Sequence, residues 1–457
     1  MPSERMRERI VLVAAVVLLV AVFAGSWVAL RDESVNAGPA PDLPDYQAPT
    51  SLVPPADAQT TEPLESSEED TTGETAPATV ESSTTQPPVD TTTVGPGEDY
   101  ALLQNAIRDA QPGDIIEVIG GTHPHQVVPV KGTFDAWIQI RASEGTSPII
   151  AVEGEFPGFE VTQAEFIEIS GFEIDGPPTT VSGAGVRIWE DSHHIRVANN
   201  VIHGFPGSGV EVIESGSVAV VGNEIFDNSA RSPYQTSGIA FFKPFGDDGD
   251  GFENIIAGNK VYRNENLVPN PVHGITDGNC IIIDNTRWPR SDYEYPGETL
   301  IENNVCFDNG GRGIHVLKAD DVYIVNNTLI QNLRTTEIIG GELSADDARN
   351  VIFQNNLVWA RDPDDSAFLL RSESVAFENN GYVIADGGGG DVEDSAIILT
   401  DAGLVNSSLD PLEFDPRLAA GSAALGAGRS EGAPSVTFDG DTRPTTPSLG
   451  ALEMAPS

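Results

Sequence analysis

One phrase recurs seven times between residues 170 and 380: an apolar residue, two spacers, an asparagine, then another apolar pair. It reads VANNVIHG at 197–204, VVGNEIFDN at 220–228, IAGNKVYRN at 256–264 and IENNVCFDN at 301–309, and continues as IVNNTLIQN, IFQNNLVWA and FENNGYVIA. The aligned residues are Asn200, Asn223, Asn259, Asn304, Asn327, Asn356 and Asn380, in steps of 23, 36, 45, 23, 29 and 24. A recurring short period with occasional longer steps marks a solenoid whose insertions loop out. Inside each unit the pattern has period 2 and is rich in Val and Ile, so the coils are built from short strands. Equivalent asparagines then stack, and their amides hydrogen-bond along the stack as in cross-β ladders. The expected fold is all-β: a right-handed parallel β-helix with one continuous core of Val, Ile, Leu and Phe.

The units have a second strand introduced by glycine: GAGVRIWE (183–190), GSGVEVIE (207–214), TSGIAFFK (236–243), DGNCIIID (277–284) and GRGIHVLK (311–318). Aligned on their glycines, these strands end in one column of Glu214, Lys243, Asp284 and Lys318. The preceding turns and strands add His273, Asp277, Arg312 and His315. Lys243 and Lys318 are two of only four lysines in the chain, the others being Lys131 and Lys260. The long steps, 223 to 259 and 259 to 304, insert loops over these same coils, and loops on a rigid scaffold commonly carry function.

With 70 acidic residues against 24 Lys plus Arg, the formal charge is −46. Nucleic acid is excluded as a partner, since a phosphate backbone requires a basic footprint. Cys280 and Cys306 stand about one coil apart; they are read as buried thiols filling strand positions, with an inter-coil disulfide as the alternative.

Arg5, Arg7 and Arg9 precede a 21-residue apolar run, Ile10–Leu30, interrupted only by Gly25 and Ser26. That length spans a bilayer, and the arginines keep the amino end cytoplasmic. Residues 1–31 are therefore expected to form a cytoplasmic stub and transmembrane helix, giving a single-pass cell-membrane protein, or a secreted one if cleaved after Ala24 or Ala37. Residues 32–97 lack Lys and Arg and are dominated by Pro, Thr, Ser, Asp and Glu, the composition of a disordered, extended acidic stalk. Residues 98–457 form the extracytoplasmic β-helix, expected to be a monomer. Its first element is a short amphipathic helix with Leu102, Leu103, Ala106, Ile107 and Ala110 on one face, ended by PGD at 112–114, which would seal the end of the stack.

The opening ALLQNAIRDAQPGDIIEVIGGTH resembles the capping helix and first strand of the pectate-lyase-like superfamily. GGRGIHVLKADDVYIVNNT is similar to the repeats of its bacterial β-helix members, and the close, DPRLAAGSAALGAGRS with FDGDTRP and LGALE, to their carboxy-terminal segment. The resemblance covers about residues 98–453 and implies a polysaccharide partner. Members of that superfamily include lyases, hydrolases, epimerases and proteins of unknown role.

For a lyase, a base removes the proton alpha to a uronate carboxylate while a cation neutralises that carboxylate. The resemblance implies Lys or Arg with calcium held by aspartates: Lys318, or Lys243, as base, Arg312 steering the carboxylate and His315 beside it. Asp277 and Asp284, or Asp247, Asp248 and Asp250 of the GDDGDG loop, supply hard oxygen ligands for calcium. One lyase pattern, DGFxxK followed by DDGxD, is not intact here: DGNCIIID lacks the lysine and GDDGDG lies upstream. His273, Trp288 and Arg287 are expected to contact the glycan. Asp277 and Asp284 also form a candidate pair for a glycoside hydrolase, and a non-catalytic glycan-binding module is the third reading.

Overall fold

The computed structural model describes residues 90–246, 251–288, 293–384, 389–393 and 396–454. The expected anchor, most of the expected stalk, and Asp247, Asp248 and Asp250 lie outside the described residues. No helix among the described residues is long and apolar enough to cross a membrane.

Each coil lays one short strand in each of three parallel sheets, which hold eleven, nine and eleven strands. Sheet 1 runs from Thr91–Val94 to Glu373–Glu378, the nine-stranded sheet 2 from Gln126–Val128 to Asp365–Leu370, and sheet 3 from Thr122–His123 to Ile397–Leu399. A representative coil passes from Phe252–Ala257 in sheet 1 to Lys260–Tyr262 in sheet 3 and Ile281–Asp284 in sheet 2, then climbs to Glu298–Glu302. Inward residues form one cluster from Val94 to Tyr382, dominated by Val and Ile, as parallel sheets with a buried face require. The order begins before residue 98: Thr91–Val94 pairs in parallel with Ile115–Val118, because TTTV is β-branched throughout and suits an edge of the stack. The helix spans Leu103–Asp109 and sends Leu103, Ala106 and Ile107 into the core. Leu102 is not on that face; it precedes the helix in extended conformation and is exposed.

The asparagine ladder runs through the stack. Asn304 is typical: its Nδ2 donates to Asn327 Oδ1 (3.0 Å) and Ile256 O (2.8 Å), while its Oδ1 accepts from the backbone and side chain of Asn259 (3.0 and 2.9 Å). The residue before each ladder asparagine, namely Asn199, Gly222, Gly258, Asn303, Asn326, Asn355 or Asn379, has positive φ, which explains why only Asn and Gly appear there. A second ladder, not anticipated, follows one corner later: Asn228, Asn264, Asn309 and Asn332 repeat the same bonds. Both ladders begin under a phenylalanine N–H, Phe172 on Asn200 and Phe205 on Asn228. Both end on a carboxylate that receives the last asparagine's two donors: Glu393 below Asn380, and Glu342 below Asn332. Burial raises Glu342 to about 8 despite those two bonds.

Cys280 and Cys306 form a disulfide between successive coils. It fills a slot that glycine occupies in neighbouring coils. A Cβ on Gly209 would meet Ile225 at 2.3 Å and one on Gly238 would meet Val261 at 2.5 Å. At the next coil the facing pair is Cys280 and Cys306, so a covalent bond replaces the close glycine–aliphatic contact.

Candidate functional site

That slot corrects the register of the expected column. Cys280, not Gly278, aligns with Gly238 and Gly313, and Asp284 pairs with Phe242 and Leu317 in sheet 2. The residues that turn out of sheet 2 at the next position are Glu214, Lys243, Asn285 and Lys318, each with positive φ. Asp284 therefore stands one residue inward of the lysines, on the strand, rather than between them in one row. The outward row beside it is Ala240, Ile282, His315 and Ser344.

The four inserted segments flank this face on both sides. Residues 229–236 and 263–279 lie at the turn entering sheet 2, and 244–246 with 285–288 and 293–297 at the turn leaving it. Asp277, on the entering side, is anchored by donation from Asn279 Nδ2 (2.8 Å) and Thr276 Oγ1 (3.1 Å). Asn285 Nδ2 donates to Asp284 Oδ1 (2.6 Å). None of Thr276, Asn279 and Asn285 was expected, although Asn279 and Asn285 each sit within two residues of the aspartate they serve.

The electrostatics join the two sides. Burial raises Asp284, Asp277 raises it further, and Lys318 and Lys243 pull it back, leaving it at about 7. Burial likewise raises Asp277, opposed by Arg312 and by its two hydrogen bonds. His315 is buried and held well below the ordinary histidine value, first by burial and then by Arg312, so it is neutral at neutral pH. Its Nδ1 has no hydrogen-bond partner. The structure thus brings together Asp277, Asp284, Arg312, His315, Lys318 and Lys243.

Two of these cations are already engaged. Arg312 donates to Thr276 O (3.1 Å) and to Ile339 O, strapping neighbouring loops across the face. Lys243 Nζ stands 3.7 Å from Glu214 Oε1 and 3.7 Å from the centroid of the Trp288 ring, a cation–π contact. Arg287 is ion-paired to Asp320 (2.9 Å) and Asp347 (3.4 Å), so it positions the loop that carries Trp288. His273 is exposed at a turn built on Asn270, apart from the cluster's hydrogen bonds.

Calcium takes six to eight oxygen ligands. Among the described residues no group of three or more His, Cys, Asp or Glu side chains is placed to hold a metal ion. Asp277 accepts from Thr276 Oγ1 and Asn279 Nδ2, and Asp284 accepts from Asn285 Nδ2. The described donor set does not fit a calcium centre, and no step below passes through one.

Three stacked parallel sheets in this order fit a right-handed parallel β-helix. No family model matches the sequence, and no curated protein does. Among solved structures, the chain is similar to pectate lyase Pel9A at 17% identity, covering 80% of this chain and 98% of that one with a TM-score of 0.46. An alginate lyase from Paenibacillus sp. str. FPU-7 is 13% identical over 67% of this chain and 99% of its own, with a TM-score of 0.35. A rhamnogalacturonan lyase is 13% identical over 70% and 91%, with a TM-score of 0.37.

Proposed function

We propose that this chain is an extracytoplasmic, polysaccharide-active β-helix that cleaves a uronate-containing glycan by β-elimination on the outer face of sheet 2. The observation that carries the reading is the placement of Asp284 on the outer face of sheet 2, one residue before the corner that carries Lys243 and Lys318, with burial and Asp277 raising its carboxyl. A general base works best with a pKa near the operating pH. Asp284, rather than Lys318, is then the base.

In the step, the Asp284 carboxylate takes the C5 proton alpha to the uronate carboxylate. The C5–H electrons form the C4=C5 double bond, the C4–O glycosidic bond breaks, and the leaving oxygen takes a proton from solvent. Asp284 then returns its proton to solvent. Lys318, with Lys243, supplies positive charge where the carboxylate gains electron density. A sheet face that repeats over successive coils suits an extended polymer. The helix Leu103–Asp109 serves as the end seal of the core in this reading. Export of the domain is supported by the arginine-flanked apolar run Ile10–Leu30 and by the disulfide, which persists in oxidising compartments.

The raised pair Asp277–Asp284 also favours a second reading, hydrolysis with Asp284 as acid and Asp277 as base. Incubating the purified protein with a panel of uronate polymers, with and without chelator, distinguishes them. New ends absorbing as unsaturated uronates are the expected product. Reducing ends without unsaturation would establish hydrolysis instead, and binding without turnover on every polymer would overturn both in favour of a binding module.

A further inference from the structure

One column at the entry to sheet 2 has no slack. The residue before the strand is Gly185, Gly209, Gly238, Cys280 or Gly313, and it faces Ile202, Ile225, Val261, Cys306 or Leu329 of the following coil. A Cβ on Gly185 would stand 2.2 Å from Ile202, and the corresponding distances are 2.3 Å at Gly209 and 2.5 Å at Gly238. None of these glycines has a left-handed backbone, so space rather than conformation selects them. The exception is the cysteine pair, both members of which are wholly buried. Two side chains bearing Cβ atoms there share a gap that elsewhere admits one. A covalent bond brings two sulfur atoms inside the usual non-bonded distance, and two thiols cannot approach so closely. The step they close, 26 residues, is also the longest in the column and carries the largest closure cost.

We infer that oxidation of Cys280 and Cys306 is a maturation step that lets the strand Ile281–Asp284 seat against the coil that follows. Cys280 lies between Asp277 and Asp284 in the chain, so the same bond fixes the segment that carries both. Oxidation runs by thiol–disulfide exchange with an exogenous small-molecule disulfide. One cysteine thiolate attacks that disulfide, forming a mixed disulfide and releasing one thiol. The second thiolate attacks the cysteine sulfur of the mixed disulfide, closing the Cys280–Cys306 bond and releasing the other thiol. The cysteine pair is oxidised, the exogenous disulfide is reduced, and the two protons end on the released thiols. Both cysteines are buried once the coils stack, so exchange has to precede closure. This inference goes beyond the proposed function and is independent of it, since its readout is stability rather than turnover.

The test compares urea unfolding, followed by circular dichroism, of the purified protein refolded with an exogenous disulfide or with a reductant. The reduced form is expected to reach its midpoint about 1 M earlier. Cys280→Gly combined with Cys306→Val rebuilds the contact seen between Gly238 and Val261. In reductant it is expected to recover most of the loss. Cys280→Ala combined with Cys306→Val differs by one methyl group and is expected to recover none of it, because that methyl meets the valine. Equal midpoints for the oxidised and reduced parent, or for the two double variants, would overturn the inference while leaving β-elimination untouched.

Discussion

Asp284→Asn is expected to lower turnover about 10²–10⁴-fold, the usual contribution of a positioned acid–base group. Asparagine keeps the size of the side chain and removes the group that exchanges the proton. Loss through unfolding is separable from loss of chemistry by linkage. Asp284 is raised from 3.8 to about 7 in the folded protein, so between those values the native state binds more protons than the unfolded one. Its contribution to stability therefore falls as pH rises through that window. Asparagine carries no such cost, so the variant is expected to melt at the same temperature as the parent or higher at pH 8, measured by circular dichroism. An inactive variant that also melts well below the parent would show that Asp284 is structural.

Asn304→Ala is expected to destabilise the fold by about 3–5 kcal/mol, because one substitution leaves several buried groups unpaired at once. The amides above and below lose their partner, as does the carbonyl of Ile256. Asn350 provides the contrast: it also has positive φ, yet it is exposed and bonds only to Asp321. Asn350→Gly is expected to change stability by less than about 1 kcal/mol, since glycine accepts that backbone freely. Urea denaturation of the two variants checks both figures. Equal, small losses would mean that the ladder is decorative.

The coils were legible because stacking repeats one residue type at one period, and Asn200 to Asn380 display it directly. The second ladder was equally visible: Asn228, Asn264, Asn309 and Asn332 close the same phrases five residues after the first. The first asparagine alone accounts for the period, so the repeat does not by itself call for a second. The register of Asp284 was harder. Aligning strands on glycine presumes that every coil keeps a glycine at the narrow slot, and Cys280 takes that place through its bond to Cys306. The shift of one residue separates a carboxylate on the strand from the lysines at the corner. The engagement of Arg312 with Thr276 and Ile339, and of Arg287 with Asp320 and Asp347, depends on which coils become neighbours. Residue spacing carries no record of such contacts between loops. Asn285 and Asn279, by contrast, act on aspartates one or two positions away, and adjacency alone was a usable signal.

The claim that Asp284 is the base is tested most directly by the pH dependence of kcat/KM for elimination, in the parent and in Lys318→Met. In the parent the rate is expected to rise with pH and level off above an inflection near 7, where the Asp284 carboxylate forms. Lys318 pulls that value down, so its removal is expected to move the inflection to higher pH. A profile without an inflection near 7, or one whose inflection stays in place when Lys318 is replaced, would contradict the account.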